Sequence, residues 1–417
     1  MTSDHQAGSI ARARREPEGR LEPARLSIDG QLVRVLLKSL DEPPVRVSLW
    51  NGESIAPANA EEVAHLRIAS RASLLKLVVD PEYQFCEGYS DGTIAVDGDL
   101  VALLEVLHRA LSDRGSTFRQ LIDWSRRRQT NTLEGSRENI HSHYDLGNAF
   151  YSLWLDSQMV YTCAYFQTPE TTLEEAQIAK MDHVCRKLRL RAGETVVEAG
   201  CGWGSLALHM ATRYGVQVKA YNISREQMAY ARARARALGV ENRVEFVEDD
   251  YRNVSGLFDA FVSVGMLEHV GPENYAELGK LIDRVLAPNG RGLIHSIGLV
   301  RPAPLNPWIE KRIFPGAYPP SLREMLGILE PPGFAVLDVE NLRLHYALTL
   351  KHWLARFEAA RNEVGAMYDE RFVRAWRLYL SGSQAAFSTG QMQLFQVLFG
   401  RRRCNELPWT RAGLYRQ

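Results

Sequence analysis

The chain has 417 residues, 45% of them hydrophobic and 24% charged, with 50 Lys plus Arg set against 50 Asp plus Glu. That length admits two domains and a core large enough to be stable alone, and the balanced charge supplies no net field that would draw the protein onto nucleic acid. Five cysteines (Cys86, Cys163, Cys185, Cys201, Cys404), odd in number and without a CxxC pair, argue against a disulfide framework or a metal site and favour a reduced, cytosolic compartment.

Residues 1–25 are charged, Pro-containing and aperiodic, which predicts a disordered tail. The N-terminus carries no apolar stretch of secretory type, and no run of about 18 apolar residues could span a bilayer. From Leu26 to about Ser112 a small mixed module is expected. Within it VRVSLW (45–50), followed by Asn51-Gly52, predicts a strand entering a hairpin turn. LVALLEVLHRAL (100–111) predicts a closing helix, and FCEGYSDGTIAVDGDL (85–100) between them is dense in Gly, Asp and aromatics. A polar linker over 113–140, containing WSRRRQTN (124–131), leads to a second domain over 141–417.

In that domain strands and helices alternate. ETVVEAG (194–200) reads as a buried strand and SLALHMATRYG (205–215) as the helix after it. VQVKAYN (216–222) is the next strand, and SREQMAYARARARALG (224–239) a helix with Ser224 at its N-cap. RVEFVED (243–249), DAFVSVG (259–265), a helix over 273–286 and GLIHSIG (292–298) continue the pattern of a doubly wound parallel sheet. Beyond residue 300 the chain is rich in aromatics and helices, and MQLFQVLFG (392–400) predicts a last strand.

The turn VVEAGCGWG (196–204) joins the first buried strand to its helix. Gly200, Gly202 and Gly204 leave it without side chains, so backbone N–H groups can approach a ligand closely. A GxGxG alone also occurs in plain tight turns. A nicotinamide-dinucleotide loop would read GxGxxG with an acidic residue closing the second strand. Here Gly204 comes one position early, and that strand ends in Tyr221-Asn222. Asn222, Ser224 and Gln227 supply neutral polar groups, and Asp249-Asp250-Tyr251 follows the third strand, where a carboxylate and an aromatic can hold an adenine. Each feature alone has an ordinary reading as a turn or cap; their joint spacing along one βαβαβ unit points to a different nucleoside ligand.

The chain resembles the cyclopropane fatty acid synthase family, including the mycolic acid cyclopropane synthases. The resemblance rests on HYDLGNAFYSLWLD (143–156), YTCAYF (161–166), EAQIAKMDHVCRKL (175–188), EAGCGWGSLA (198–207), NISREQ (222–227), DDYR (249–252), VSVGMLEHVGPENY (262–275), LIHSIG (293–298), PWIEKRIFPGAYPPS (307–321), HYALTL (345–350) and MQLFQVLFG (392–400). These span about 141–402 in the family's order. FCEGYSDG (85–92) and VDGDL (96–100) resemble the N-terminal extension of phospholipid-acting members, which implies a lipid or assembly role for 26–112. The implied fold is α/β: a Rossmann-like class I methyltransferase with a seven-stranded, mostly parallel sheet and helices on both faces, plus a smaller mixed α+β N-terminal domain.

The resemblance implies S-adenosylmethionine as methyl donor, held by Tyr161 and Thr162, by Val196, Val197, Glu198, Ala199, Gly200, Cys201, Gly202, Trp203 and Gly204, by Asn222, Ile223, Ser224 and Gln227, and by Asp250 and Tyr251. Glu198 stands where many relatives carry Asp, and Asn222 replaces a common Thr; both keep polarity. It further implies a bound bicarbonate ion as general base, held by Cys163, Glu268, His295, Tyr346 and the backbone of Ile297. Cys163, His295, Tyr346 and a backbone N–H can donate to an anion, and Glu268 can orient a neighbour or accept a proton. Taken singly, a Cys in an aromatic stretch or a His in a strand is as well explained as core. Ser383 occupies a position that is Cys in some relatives, so a covalent route there is closed.

In such an enzyme an alkene attacks the sulfonium methyl, and a proton leaves the new methyl group as a ring closes. The expected partners are unsaturated phospholipid acyl chains, met peripherally at the inner face of the membrane; a homodimer is compatible. Trp308, Phe314, Tyr318, Trp353, Phe357, Trp376 and Phe387 are candidates to wall an acyl tunnel or simply core. Arg126, Arg127 and Arg128 beside Trp124, and Arg401 to Arg403, are candidates for head-group contact or a solvated face. Two other functions stay open at this point. The same methyl transfer could end in a methylene branch, which a partner reductase could make a methyl branch; or the chain could be a non-catalytic lipid- or cofactor-binding relative, against which the intact polar set argues.

Overall fold

A computed structural model describes residues 26–57, 61–112 and 146–415. The expected tail 1–25, the linker 113–140 and the Trp124, Arg126, Arg127 and Arg128 cluster lie outside the described residues. Among the described residues no helix is long and apolar enough to cross a membrane.

The N-terminal module begins with α1 (Ile28–Ser39), capped by the Ser27 side chain. β1 (Val45–Leu49) turns through Asn51-Gly52 into β2 (Ser54–Ile55), and Gly52 takes φ +85°, as the hairpin reading requires. β3 (Ala64–Ile68) pairs parallel with β1, and β4 (Ile94–Gly98) antiparallel with β3, giving the order β2-β1-β3-β4. α2 (Arg71–Val79) and α3 (Pro81–Asp91) cover this sheet before α4 (Leu100–Ser112). Much of the Gly- and Asp-rich stretch is thus helical: Asp80 caps α3, Pro81 begins it, and Gly92 ends it in the left-handed region.

After the short α5 (Asn148–Ser152), α6 (Leu173–Leu188) opens with a Thr172/Glu175 capping box and carries acids in its first turn and bases in its last. There follow β5 (Thr195–Ala199), α7 (Ser205–Tyr214), β6 (Gln217–Asn222), α8 (Arg225–Ala237), β7 (Val244–Glu248), β8 (Phe258–Val264), α9 (Tyr275–Val285) and β9 (Leu286–Gly298). Every strand and helix expected between 194 and 298 is present within a few residues. The seven-stranded sheet runs β10-β11-β9-β8-β5-β6-β7, with β10 (Phe334–Asn341) and β11 (Gln393–Arg401) antiparallel at one side. The chain order reverses between β5 and β8, and ligands of open α/β sheets lie at the carboxyl ends beside such a point.

Four further helices, α10 (Pro307–Arg312), α11 (Leu322–Leu329), α12 (Arg343–Ala359) and α13 (Arg361–Met367), precede α14 (Glu370–Thr389). The long α14 is capped by Asp369 and stopped by Gly390 at φ +82°. It joins the two modules. Arg374 donates to the backbone of Tyr89 and Ile94, and Arg371 and Arg312 both pair with Glu87 of α3. One apolar cluster runs from Val33 and Leu74 through Leu103 to Trp154, Trp353 and Trp376. Burying large aromatics such as these contributes roughly 1.5–3 kcal/mol each.

Candidate active site

The turn after β5 has the shape of a ligand cradle. Val196 and Val197 face opposite cores, and their backbones pair with β6 on one side and β8 on the other, so they brace the loop and offer no side chain to a ligand. Ala199 is fully buried, and the N–H groups of Gly200 and Cys201 both donate to the Tyr221 carbonyl at 3.0 Å, tying the loop to β6. The buried Cys201 thiol packs on the Met228 sulfur.

The three glycines serve different ends. At Gly204 (φ +81°) a Cβ would meet Phe246 and Ala231 within 2.8 Å, so that glycine lets helix and strand close together. At Gly202 (φ +52°) a Cβ would meet nothing within 4 Å, leaving open space above the backbone. Asn222 Nδ2 donates to the Gly202 carbonyl at 3.1 Å and to Gln227 Oε1 at 2.7 Å, and Ser224 caps α8 next to Ile223. Gln227 Nε2 is buried and unpartnered. Asp250 is buried and accepts from the Arg252 N–H, with Tyr251 beside it.

A second segment crosses the mouth of the sheet. Tyr161 sits among Tyr151, Trp154 and Trp353 with ring centroids 5.3–5.4 Å away, and its hydroxyl lies 2.8 Å from that of Tyr379. Trp203 donates to Asn148 at 2.6 Å and packs on Tyr151. Thr162 is clamped by α6: Lys180 Nζ donates to its hydroxyl and Gln177 Nε2 to its carbonyl, both at 2.9 Å. It also lies against Gly265, where a Cβ would come within 2.9 Å of its methyl.

Glu198 and Lys180 are both buried. Burial pushes the Glu198 carboxyl up to about 8, opposed by the Lys180 charge, and pulls the Lys180 ammonium down to about 8, opposed by Asp156. Glu198 thus faces the interior beside Lys180, and one of its oxygens has no partner.

The implied catalytic set falls into two groups, Glu268 with His295 and Ile297, and Cys163 with Tyr346. Glu268, in a 3-10 turn after β8, is buried, and its Oε1 accepts from the Ile297 N–H at 2.6 Å. That N–H was expected to donate to an anion; it is taken by Glu268 instead. The other oxygen, Oε2, is buried and unpartnered. Burial pushes the Glu268 carboxyl up to about 7, against the pull of its backbone hydrogen bonds and of the nearby Ser296 hydroxyl, which itself donates to the Ile297 carbonyl. His295, two residues before Ile297 on β9, is 2% exposed, and burial pulls it down to about 3, so it is neutral. Its Nδ1 lies 2.9 Å from Gln396 Nε2, and its Nε2 is buried without a partner.

Cys163 and Tyr346 form the second group. Ala164 donates to Thr349 on α12, one turn from Tyr346, whose ring packs on Phe387 and Trp353. The Cys163 thiol is fully buried, which raises it well above the ordinary thiol range, and the neutral S–H donates to the Ala164 carbonyl at 3.1 Å, so this expected anion donor is also taken by the protein. Ile297 packs against the cluster that holds Cys163 and Tyr346.

Sequence reasoning missed Gln177, Lys180 and Gln396. The only signal was a polar side chain at a helix or strand position otherwise set for the core. Ser383 lies half-buried on α14 and belongs to neither group. Ser383→Ala is therefore expected to leave turnover within about twofold, as for a substitution away from caps and cavities; a steady-state assay showing a tenfold loss would place it in the chemistry.

Of the aromatics proposed for a tunnel, Trp308, Trp353, Phe357, Trp376 and Phe387 join the main core, Phe314 packs against it, and Tyr318 is buried. Trp308 and Trp376 also line a cavity of about 290 Å³ between α3, α10 and α14, with Arg312 and Arg371 at its polar side. Arg401 is held by Asp283 and backbone carbonyls and stacks over Phe334, so it ties β11 to the body, while Arg402 and Arg403 are exposed.

Comparisons with known proteins identify the family and the fold. The family model for mycolic acid cyclopropane synthetase matches residues 131–397, and one for a domain of unknown function matches 32–120. A probable fatty acid methyltransferase of Pseudomonas putida is 35% identical over 385 residues, covering 89% of this chain and 96% of the relative. The cyclopropane-fatty-acyl-phospholipid synthase of Escherichia coli K12 is 37% identical over 347 residues, covering 82% and 89%. Among solved structures, the mycolic acid cyclopropane synthase CmaA1 with SAH and CTAB superposes with TM-score 0.61 at 30% identity, over 64% of this chain and 98% of that one.

Proposed function

This chain belongs to the mycolic acid cyclopropane synthetase family of S-adenosylmethionine-dependent methyltransferases, and we propose that it converts a double bond in an unsaturated phospholipid acyl chain into a cyclopropane ring. The alkene π electrons form a bond to the sulfonium methyl carbon, the carbon–sulfur bond breaks, and S-adenosylhomocysteine leaves. The resulting cation loses a proton from the new methyl group as the third ring bond closes.

The residues supply what each step needs. The aromatic rings of Tyr346, Trp353 and Phe387 pack together, and a cation formed against their faces would gain about 0.5–2 kcal/mol from each. Glu268 carries the reading furthest: its carboxyl is buried, poised to change protonation near neutral pH, and one oxygen is left without a protein partner. Such a group can take a proton in a site closed to water. Neutral His295 has a buried Nε2 without a protein partner.

The unpartnered Glu268 Oε2 and His295 Nε2 fit a small hydrogen-bonding anion such as bicarbonate. Bicarbonate, when bound, would supply a compact base able to work beside a wide acyl chain. Stripping carbonate from purified enzyme is expected to lower turnover and its return to restore it. Unchanged rates in rigorously carbonate-free buffer would remove the ion from the account while leaving Glu268 as base.

The 26–112 module is assigned to lipid presentation or assembly at the inner membrane face. Supporting this, it forms one wall of the cavity with Trp308, Trp376, Arg312 and Arg371. The functional test is purified enzyme with methyl-labelled S-adenosylmethionine and vesicles of unsaturated phospholipid. Label in the acyl chain together with S-adenosylhomocysteine is expected; release of S-adenosylhomocysteine with an unlabelled lipid would exclude the assigned acceptor.

A further inference from the structure

Gln396 on β11 is the cross-strand partner of His295 on β9 and, on its other side, of Glu340 on β10. Directly opposed residues project to the same face, so His295, Gln396 and Glu340 form a row across three neighbouring strands. At the outer end Glu340 forms an ion pair with Lys187 at 2.6 Å and a hydrogen bond with His183 at 2.8 Å. Burial pushes this carboxyl up, but the His183 bond and the Lys187 charge more than offset it and bring it to about 2. At the inner end Gln396 Nε2 lies 2.9 Å from His295 Nδ1, with Gln396 0% and His295 2% exposed.

A neutral imidazole has one N–H and one lone pair. His295 is held neutral by burial and by the positive field of Lys180 and Lys187. The structure turns the amide NH₂ of Gln396 to the ring and leaves its Oε1 buried without a protein partner; an NH₂ group has only protons to offer, so with the amide in this orientation Nδ1 carries the lone pair. The ring proton then sits on Nε2, which is buried and has no acceptor in the protein.

We infer that Gln396 is a positioning residue that holds His295 as the Nε2–H tautomer, so that the ring presents a hydrogen-bond donor to the reacting centre rather than a base. The inference rests on the proposed place of His295 in the active site. It divides the labour there: proton removal falls to Glu268 or an ion beside it, and His295 orients and polarises. A ring held in the wrong tautomer would present a lone pair to an anion and repel it.

Nitrogen-15 correlation spectra of the histidine-labelled full-length protein read which ring nitrogen is protonated, with His295→Gln identifying the signal. The expected spectrum has Nε2 protonated and Nδ1 bare. Gln396→Leu is expected to move proton population to Nδ1 and to lower kcat about tenfold or more, with KM for S-adenosylmethionine unchanged. A wild-type spectrum with the proton on Nδ1 overturns the inference, and it decides even if the variant does not fold. It is equally overturned if Gln396→Leu loses turnover while the proton stays on Nε2, since Gln396 then acts through packing alone. If the tautomer is as inferred but neither variant changes turnover, the assignment to Gln396 stands and the active-site role of His295 fails.

Discussion

Glu268→Gln is expected to cost about 10²-fold or more in turnover, because a lost general base commonly forfeits the 10²–10⁴-fold it supplies. The amide keeps the shape and can still accept from the Ile297 N–H, which the carboxylate now holds at 2.6 Å. Cofactor affinity should therefore stay within about twofold, the ordinary effect of a change that leaves a binding surface intact. The pH dependence carries a definite sign. Burial raises the Glu268 carboxyl to about 7, so the ionised form accumulates as pH rises through that value. Turnover of the wild type should climb with pH across this limb and level off above it, and the limb should vanish in the variant. His295→Gln should also lose about 10²-fold, but by displacing a donor and not a base, so the limb near pH 7 should persist. A wild-type limb that survives in Glu268→Gln would assign the titration elsewhere.

Gly202→Val should abolish S-adenosylmethionine binding in a folded protein. Two penalties act together. The backbone at φ +52° is one that a β-branched residue adopts only at a cost of about 1–3 kcal/mol. The new side chain would also enter the space where a Cβ meets no protein atom within 4 Å, the room a ligand needs. Because that space is open, the native packing need not move, and the far-ultraviolet spectrum should be unchanged. Titration calorimetry should show no saturable heat at concentrations that fill the wild type. Wild-type affinity in a folded variant would remove this loop from the cofactor site.

The region 194–298 was legible because its signals are local. Strands buried on both faces read as continuous apolar runs, and each helix after them begins at a cap or glycine turn that the sequence displays. β10 was not legible. It is the edge of the sheet, and its Asp338 and Glu340 look like solvent-facing charges until Lys187 and His183 of a distant helix are brought against them. The parallel pairing of β1 with β3 was equally hidden, since nothing local distinguishes it from a hairpin neighbour.

The catalytic set was legible only through family resemblance. Composition alone could not separate Cys163 or His295 from ordinary core residues, and the structure buries both. What neither pattern nor resemblance supplied was the support behind them. Lys180 and Gln177 hold Thr162 from the next helix, 18 and 15 residues on, and Gln396 holds His295 across 101 residues. Such contacts are set by packing of α6 and β11 on the sheet, which no periodicity within either segment reports.

The central claim is that a methyl carbon of S-adenosylmethionine ends as the third carbon of a ring on a phospholipid acyl chain. The most direct measurement is mass spectrometry of total fatty acids from a heterologous host making this chain, followed by proton NMR of any new species. The account predicts acyl chains one CH₂ heavier than the host's unsaturated chains, at their expense, with the upfield ring-proton signals of a cyclopropane. Chains of that mass with terminal-alkene signals, or saturated methyl-branched chains, would show a different exit from the same cation and contradict the ring assignment. An unaltered fatty-acid profile from soluble, cofactor-binding protein would contradict the acyl chain as substrate.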